Sequence, residues 1–93
     1  MTYKFIISQS AIRDMNYIQK YIEKDNFLAA KKTIIYITRT IRTTLADNPH
    51  IGRYGNNLRT REFILTKYPY KIIYTVNGNE LVILRVLHTS RKW

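Results

Sequence analysis

Residues 70–88 constrain the fold most strongly. Tyr70–Val76 (YKIIYTV) and Leu81–His88 (LVILRVLH) are both rich in β-branched and aromatic residues. Asn77-Gly78 separates them, a dipeptide suited to the positive φ that tight hairpin turns demand. The two runs therefore read as antiparallel neighbours. In the second, Val82, Leu84, Val86 and His88 alternate with Leu81, Ile83, Arg85 and Leu87. Both sets are apolar, so this strand reads as central, and periodicity alone does not say which side is covered.

The rest of the chain must cover that hairpin. Thr2–Ser8 reads as a strand with Tyr3, Phe5 and Ile7 on one face. Ser10 can cap a helix whose stripe is Ala11, Met15, Ile18 and Ile22. Asn26 can cap a second, carrying Ala30, Ile34, Ile37, Ile41 and Leu45 and ending at Asp47-Asn48-Pro49. His50–Asn57, with two glycines and two asparagines, reads as loop, and Arg59–Leu65 as a strand before a turn at Lys67-Tyr68-Pro69. The order β-α-α-β-β-β predicts an α+β fold, an antiparallel sheet packed on one face by a helical hairpin. Residues 1–93 make one domain.

Composition narrows the function. Sixteen Lys and Arg against six Asp and Glu give a net charge of +10, a field that attracts nucleic acid or an acidic protein. No cysteine is present, and two histidines and six carboxylates predict no metal site and no cofactor. No apolar run approaches the roughly 18 residues of a membrane span, and no signal-peptide pattern opens the chain, so the expected location is the cytoplasm.

The last stretch, Leu81–Trp93, delivers His88, Arg91, Lys92 and Trp93 to one place, an arrangement able to handle an anion. Against that stands a core strand with a solvated tail. Arg85 must reach a cleft or find a buried acidic partner, because an unpaired buried charge is costly. Tyr70 and Tyr74 share a strand face and read as core before base-stacking platforms. Lys31, Lys32, Arg39 and Arg42 read most simply as a solvated helix face.

Taken in order, Asn48-Pro49…Gly52-Arg53, Arg61-Glu62-Phe63, Tyr70-Lys71-Ile72-Ile73-Tyr74 and Arg85-Val86-Leu87-His88…Arg91 resemble the RelE/ParE toxin superfamily over nearly the whole chain. The likeness is to the ParE-like, plasmid-stabilisation branch. It implies a toxin of a type II toxin–antitoxin pair, held in a hetero-oligomer by a cognate antitoxin. ParE members poison DNA gyrase, whereas RelE members cleave messenger RNA on the ribosome. An inactive basic binding module is the third reading.

RNA cleavage without a metal needs a base, an acid and cations on the phosphorane. Under the nuclease reading the implied catalytic residues are His88, Arg91, Lys71 and Arg61, with Glu62 as a further partner for His88. Lys71 stands where the nuclease branch has an arginine, and no tyrosine follows Arg91. Lysine keeps the charge but loses the bidentate fork that fits a phosphate. The expected target-binding residues are Arg53, Arg59, Arg61, Arg85, Arg91, Lys92 and Trp93. Antitoxin binding is expected on Met15, Ile18, Ile22, Ile34, Ile37 and Ile41, with the basic surface adding affinity for an acidic partner.

Overall fold

A computed structural model describes residues 3–55 and 59–93. Thr2, Asn56 and Asn57, assigned above to the first strand and the long loop, lie outside the described residues. Strand β1 (Lys4–Ile7) leads into helices α1 (Gln9–Glu23) and α2 (Phe27–Arg39), and α2 runs on into a π-helical turn, Thr40–Leu45. Then come β2 (Arg53–Tyr54), β3 (Arg61–Ile64), β4 (Tyr70–Asn77) and β5 (Glu80–His88).

The sheet order is β1-β5-β4-β3-β2. β2 to β5 are antiparallel, but β1 joins the free edge of β5 in parallel, so the sheet is mixed. The expected strands are present, and the two-residue β2 inside the long loop is added to them.

Ser8 rather than Ser10 caps α1, its Oγ accepting from the Ala11 N–H at 3.1 Å. The same hydroxyl donates to the Leu84 carbonyl at 2.9 Å, so the cap also fixes the helix to β5. Asn26 caps α2 as expected, accepting from the Ala29 N–H at 3.0 Å. Thr33, Thr38, Thr40 and Thr43 each donate to the carbonyl four residues back. Such back-bonding loosens the regular ladder, and the helix widens into its π turn within that stretch.

The hairpin turn is Gly78-Asn79, one residue later than the sequence suggests. Gly78 alone among the described residues has positive φ, +62°, and Asn77 pairs with Glu80. Glycine at the first turn position suits a II′ hairpin. A bulge then interrupts the ladder: Tyr74 faces Ile83 but Ile73 faces Arg85, leaving Leu84 as the extra residue. It breaks the simple alternation read from sequence. Leu81 and Ile83 before it, and Val86 after it, all join the core with Ile72 and Tyr74 of β4. Ala11, Met15, Ile18, Ile37, Ile41 and Leu45 pack against them from the helices. Each large aliphatic buried there stabilises the fold by roughly 1.5–3 kcal/mol.

Candidate functional site

Between α1 and the C-terminal end of β5 lies a groove of about 630 Å³. Tyr17 and Tyr21 form one wall, their rings stacked at 6.4 Å because a spacing of four puts them on one helix side. Tyr70 and His88 form the other, paired across the β4–β5 ladder with rings edge to face at 5.7 Å. Arg13 and Arg91 stand at its margins. Both are exposed, and neither meets a carboxylate among the described residues. Burial pushes the Tyr70 hydroxyl's pKa up, with a smaller push from Tyr21.

A polar tether through Asp14 helps to hold the groove wall. Asp14 receives Nε of Arg85 at 2.7 Å on one oxygen and Nη2 at 2.9 Å on the other, and also accepts the Val86 N–H at 3.0 Å. The Asp14 hydrogen bond is the main reason the Arg85 pKa is raised further. Arg85 thus resolves its two sequence readings as an acid-paired residue. Asp14 lies on the inner side of α1 between Ala11 and Ile18. A carboxylate beside a helix's apolar stripe, with an arginine inside an apolar strand, was the available signal for this pair.

His88 accepts a hydrogen bond at Nδ1 from the Ser90 N–H at 3.1 Å, and Ser90 Oγ sits 2.8 Å from the same nitrogen. An N–H aimed at Nδ1 requires a lone pair there, so the neutral ring carries its proton on Nε2. His88 in this arrangement offers the groove a donor rather than a base.

Residues 5–93 match the family described as the ParE toxin of the type II toxin–antitoxin system parDE. The chain belongs to the ParE toxin family. A Sinorhizobium fredii protein, Y4kP, whose name marks it as a candidate toxin, is 36% identical over 83 residues, covering 89% of this chain and 84% of that protein. The fold is similar to that of the chromosomal ParDE system of P. aeruginosa, with a TM-score of 0.78 at 20% identity over 94% of this chain and 96% of that one. It is also similar to the RelBE2 toxin–antitoxin complex of Mycobacterium tuberculosis, with a TM-score of 0.70 at 18% identity over 95% and 99%. Against E. coli RelE in the free state the TM-score is 0.61 at 12% identity, over 96% and 85%.

In this ParE-family chain the residues expected of a nuclease do not come together. His88 and Arg91 line the groove. Lys71 is buried and pairs with Glu62 at 3.4 Å, facing away from the helices on the sheet side opposite Ile72 and Tyr74. Arg61 pairs with Tyr74, four residues and so roughly 13 Å along β4 from the Tyr70–His88 pair, and stands two strands away from His88. There it donates to the carbonyls of His50 and Gly52 at 3.1 and 2.7 Å and lies 4.2 Å over the Tyr54 ring.

The expected target-binding residues divide in the same way. Arg59 and Arg61 line a second, more polar hollow of about 530 Å³ with His50, Tyr54 and Thr75, and exposed Arg53 lies on β2. Arg91, Lys92 and Trp93 follow β5 at the groove end, all exposed. Arg85 lies between the two ends. Of the aliphatic residues expected to meet an antitoxin, Met15, Ile18, Ile37 and Ile41 belong to the core, and Ile22 and Ile34 pack against it while staying partly exposed. Ile18 also lines the groove. The groove itself was invisible in sequence, because only the tertiary fold sets Tyr17 and Tyr21 opposite Tyr70 and His88.

Proposed function

We propose that this ParE-family toxin acts by binding DNA gyrase in the cytoplasm rather than by cutting RNA, and that a cognate acidic antitoxin neutralises it. The observation carrying this reading is the separation of acid–base candidates. Lys71 and Glu62 neutralise each other on the face away from the helices, Arg61 is spent on loop carbonyls, and Nδ1 of His88 already accepts a backbone N–H. What the groove end offers instead is an aromatic and cationic surface, with Arg13, Arg91 and Lys92 exposed around three tyrosines. Such a surface suits gripping a protein, since tyrosine and arginine supply much of the energy at interface centres. The +10 charge raises the rate of encounter with an acidic partner.

The test combines purified protein with gyrase and plasmid DNA, and separately with translating ribosomes and messenger RNA. Gyrase-dependent DNA breaks, weakened by Arg91→Ala and Tyr21→Ala, are the expected result, with the messenger intact. Cleavage of messenger RNA that His88→Ala abolishes overturns the reading in favour of a RelE-like nuclease.

A further inference from the structure

The second hollow, of about 530 Å³, lies at the turn end of β4 and has no part in the grip proposed for the groove. Tyr54 lines it with a side chain turned largely outward, 60% exposed. Arg61, its cross-strand partner, lays a guanidinium 4.2 Å over the ring, which meets no other ring or cation among the described residues. Arg61 is itself fixed, because Nη1 alone donates to both the His50 and the Gly52 carbonyl. Its Nε and Nη2 meet no acceptor among the described residues. That is the edge with which Arg85 grips both oxygens of Asp14. Arg59 and His50 line the same hollow, both exposed, and the Thr75 hydroxyl pins the segment by donating to the Arg59 carbonyl at 2.7 Å. Among the described residues no carboxylate lines it: Glu62 is taken by Lys71, and Asp47 borders a different hollow. A preset arginine fork and a flat ring therefore share one recess.

The open edge of Arg61 fits a carboxylate or a phosphate, and the ring decides between them. A carboxylate gains nothing from the negative face of an aromatic ring, whereas a nucleobase stacks on it. A guanidinium behind that ring holds it flat for the purpose. Bases in a duplex are stacked on one another, so only an unpaired strand presents one. We infer that this hollow takes single-stranded nucleic acid, a base on Tyr54 and its phosphate on the Nε–Nη2 edge of Arg61. Arg59 adds charge at the rim, and His50 a hydrogen-bonding ring. The strand is held there, not cut. The site stands apart from the groove and does not rest on the gyrase reading.

The test titrates the protein against fluorescein-labelled oligothymidylate and oligouridylate of about eight nucleotides, following anisotropy at several salt concentrations. Saturable binding is expected, and the tighter of the two names DNA or RNA as the source. Tyr54→Leu should weaken it about tenfold, and Tyr54→Phe should bind like the parent, since stacking needs the ring and not the hydroxyl. Arg61→Lys keeps the charge, loses the fork and should also weaken binding. Should that variant melt early, the Tyr54 pair decides alone. Arg59→Ala should lower the salt slope by about 0.7, the share of one phosphate on a single strand, and Lys31→Ala on α2 by clearly less. Tyr54, Arg59 and Lys31 are exposed, so melting of their variants should match the parent. Unchanged affinity in Tyr54→Leu would overturn the proposal. An equal effect of Lys31→Ala and Arg59→Ala would do so too, by showing only the field of the +10 charge. Duplex DNA or polyglutamate that displaces the probe as readily as unlabelled strand would make the hollow a general polyanion site. Thymidine monophosphate displacing it equally well would make it a nucleotide pocket instead. None of these mixtures contains gyrase, so their failure leaves the gyrase reading intact, and failure of that reading leaves the strand result unaltered.

Discussion

Tyr74 and Tyr70 lie four residues apart on the helix-covered face of β4, yet their hydroxyls are used differently. Tyr74 is fully buried; its Oη accepts from the Gly52 N–H at 2.9 Å and donates to the Pro49 carbonyl at 2.8 Å. Arg61 ties the same loop through His50 and Gly52, and a Cβ on Gly52 would meet Tyr74 Oη at 2.5 Å. This end of the strand spends its polar groups inside. Tyr70 supplies a groove wall, and its hydroxyl has no partner among the described residues. Around it Asp14, Arg85 and Val86 are tied together and His88 Nδ1 is taken by Ser90, while the side chains of Arg13 and Arg91 are left outward. Polar groups left unsatisfied by the fold are what a partner can use, so under the proposed function recognition falls at the Tyr70 end.

Removing the Asp14 tether should have the largest effect. Asp14→Ala strands the Arg85 guanidinium and the Val86 N–H together. Loss of one partner from a largely buried, doubly bonded pair costs about 3–5 kcal/mol, and the 28% exposure of Arg85 argues for about 3. Urea denaturation checks this; a loss under about 1 kcal/mol would mean that water replaces the carboxylate and that the groove wall is held by packing alone.

Tyr74→Phe attacks the closed end and should cost about 2 kcal/mol, because Gly52 N–H and Pro49 C=O are both left without the hydroxyl. The ring volume is kept, so the core should not repack. A neutral outcome would show that the 49–52 loop finds other partners, and the two ends would then differ less than their hydrogen bonds imply.

Alkaline pH probes both tyrosines together. Burial is the main reason the Tyr74 pKa is raised above 10.0, although the Gly52 hydrogen bond and Arg61 pull it back, and burial raises Tyr70 likewise. The folded protein therefore holds these protons more tightly than the unfolded chain. Their contribution is fully present below the unfolded value of 10.0 and is lost as the pH rises through the folded values. Stability measured by denaturation should fall above pH 10.0, less steeply in Tyr74→Phe than in the parent. An identical slope would show that these tyrosines ionise without opposing burial.

Much of this frame was readable in the sequence, and what was not has identifiable physical causes. Asn26, the two helix stripes and the β4–β5 hairpin follow from local chemistry and periodicity. The turn slipped by one residue because Asn77-Gly78 and Gly78-Asn79 are both acceptable two-residue turns, and register with the rest of the sheet chooses. The bulge at Leu84 leaves no local trace in an all-apolar run, yet it decides which β5 residues face the helices. A strand's pattern names its faces but not its neighbour, so the parallel docking of β1 was hidden. Arg85 advertised its need for a partner; that the partner is Asp14, 71 positions away, is a tertiary fact.

Tyr70→Phe is the mildest change and the sharpest test of the contrast. Its hydroxyl makes no hydrogen bond among the described residues, so at neutral pH the loss of stability should stay below about 0.5 kcal/mol, well under that for Tyr74→Phe. The ring would still pack edge-on against His88, leaving the groove's shape intact. Above pH 10.0 the variant should lose stability less steeply than the parent, since one buried group no longer has to ionise. If the groove end grips the target, binding should weaken far more than folding does, because the hydroxyl is offered outward. A variant that loses folding stability and binding in equal measure would place Tyr70 in the same class as Tyr74, and the two ends of β4 would no longer be distinguished by where their polar groups are spent.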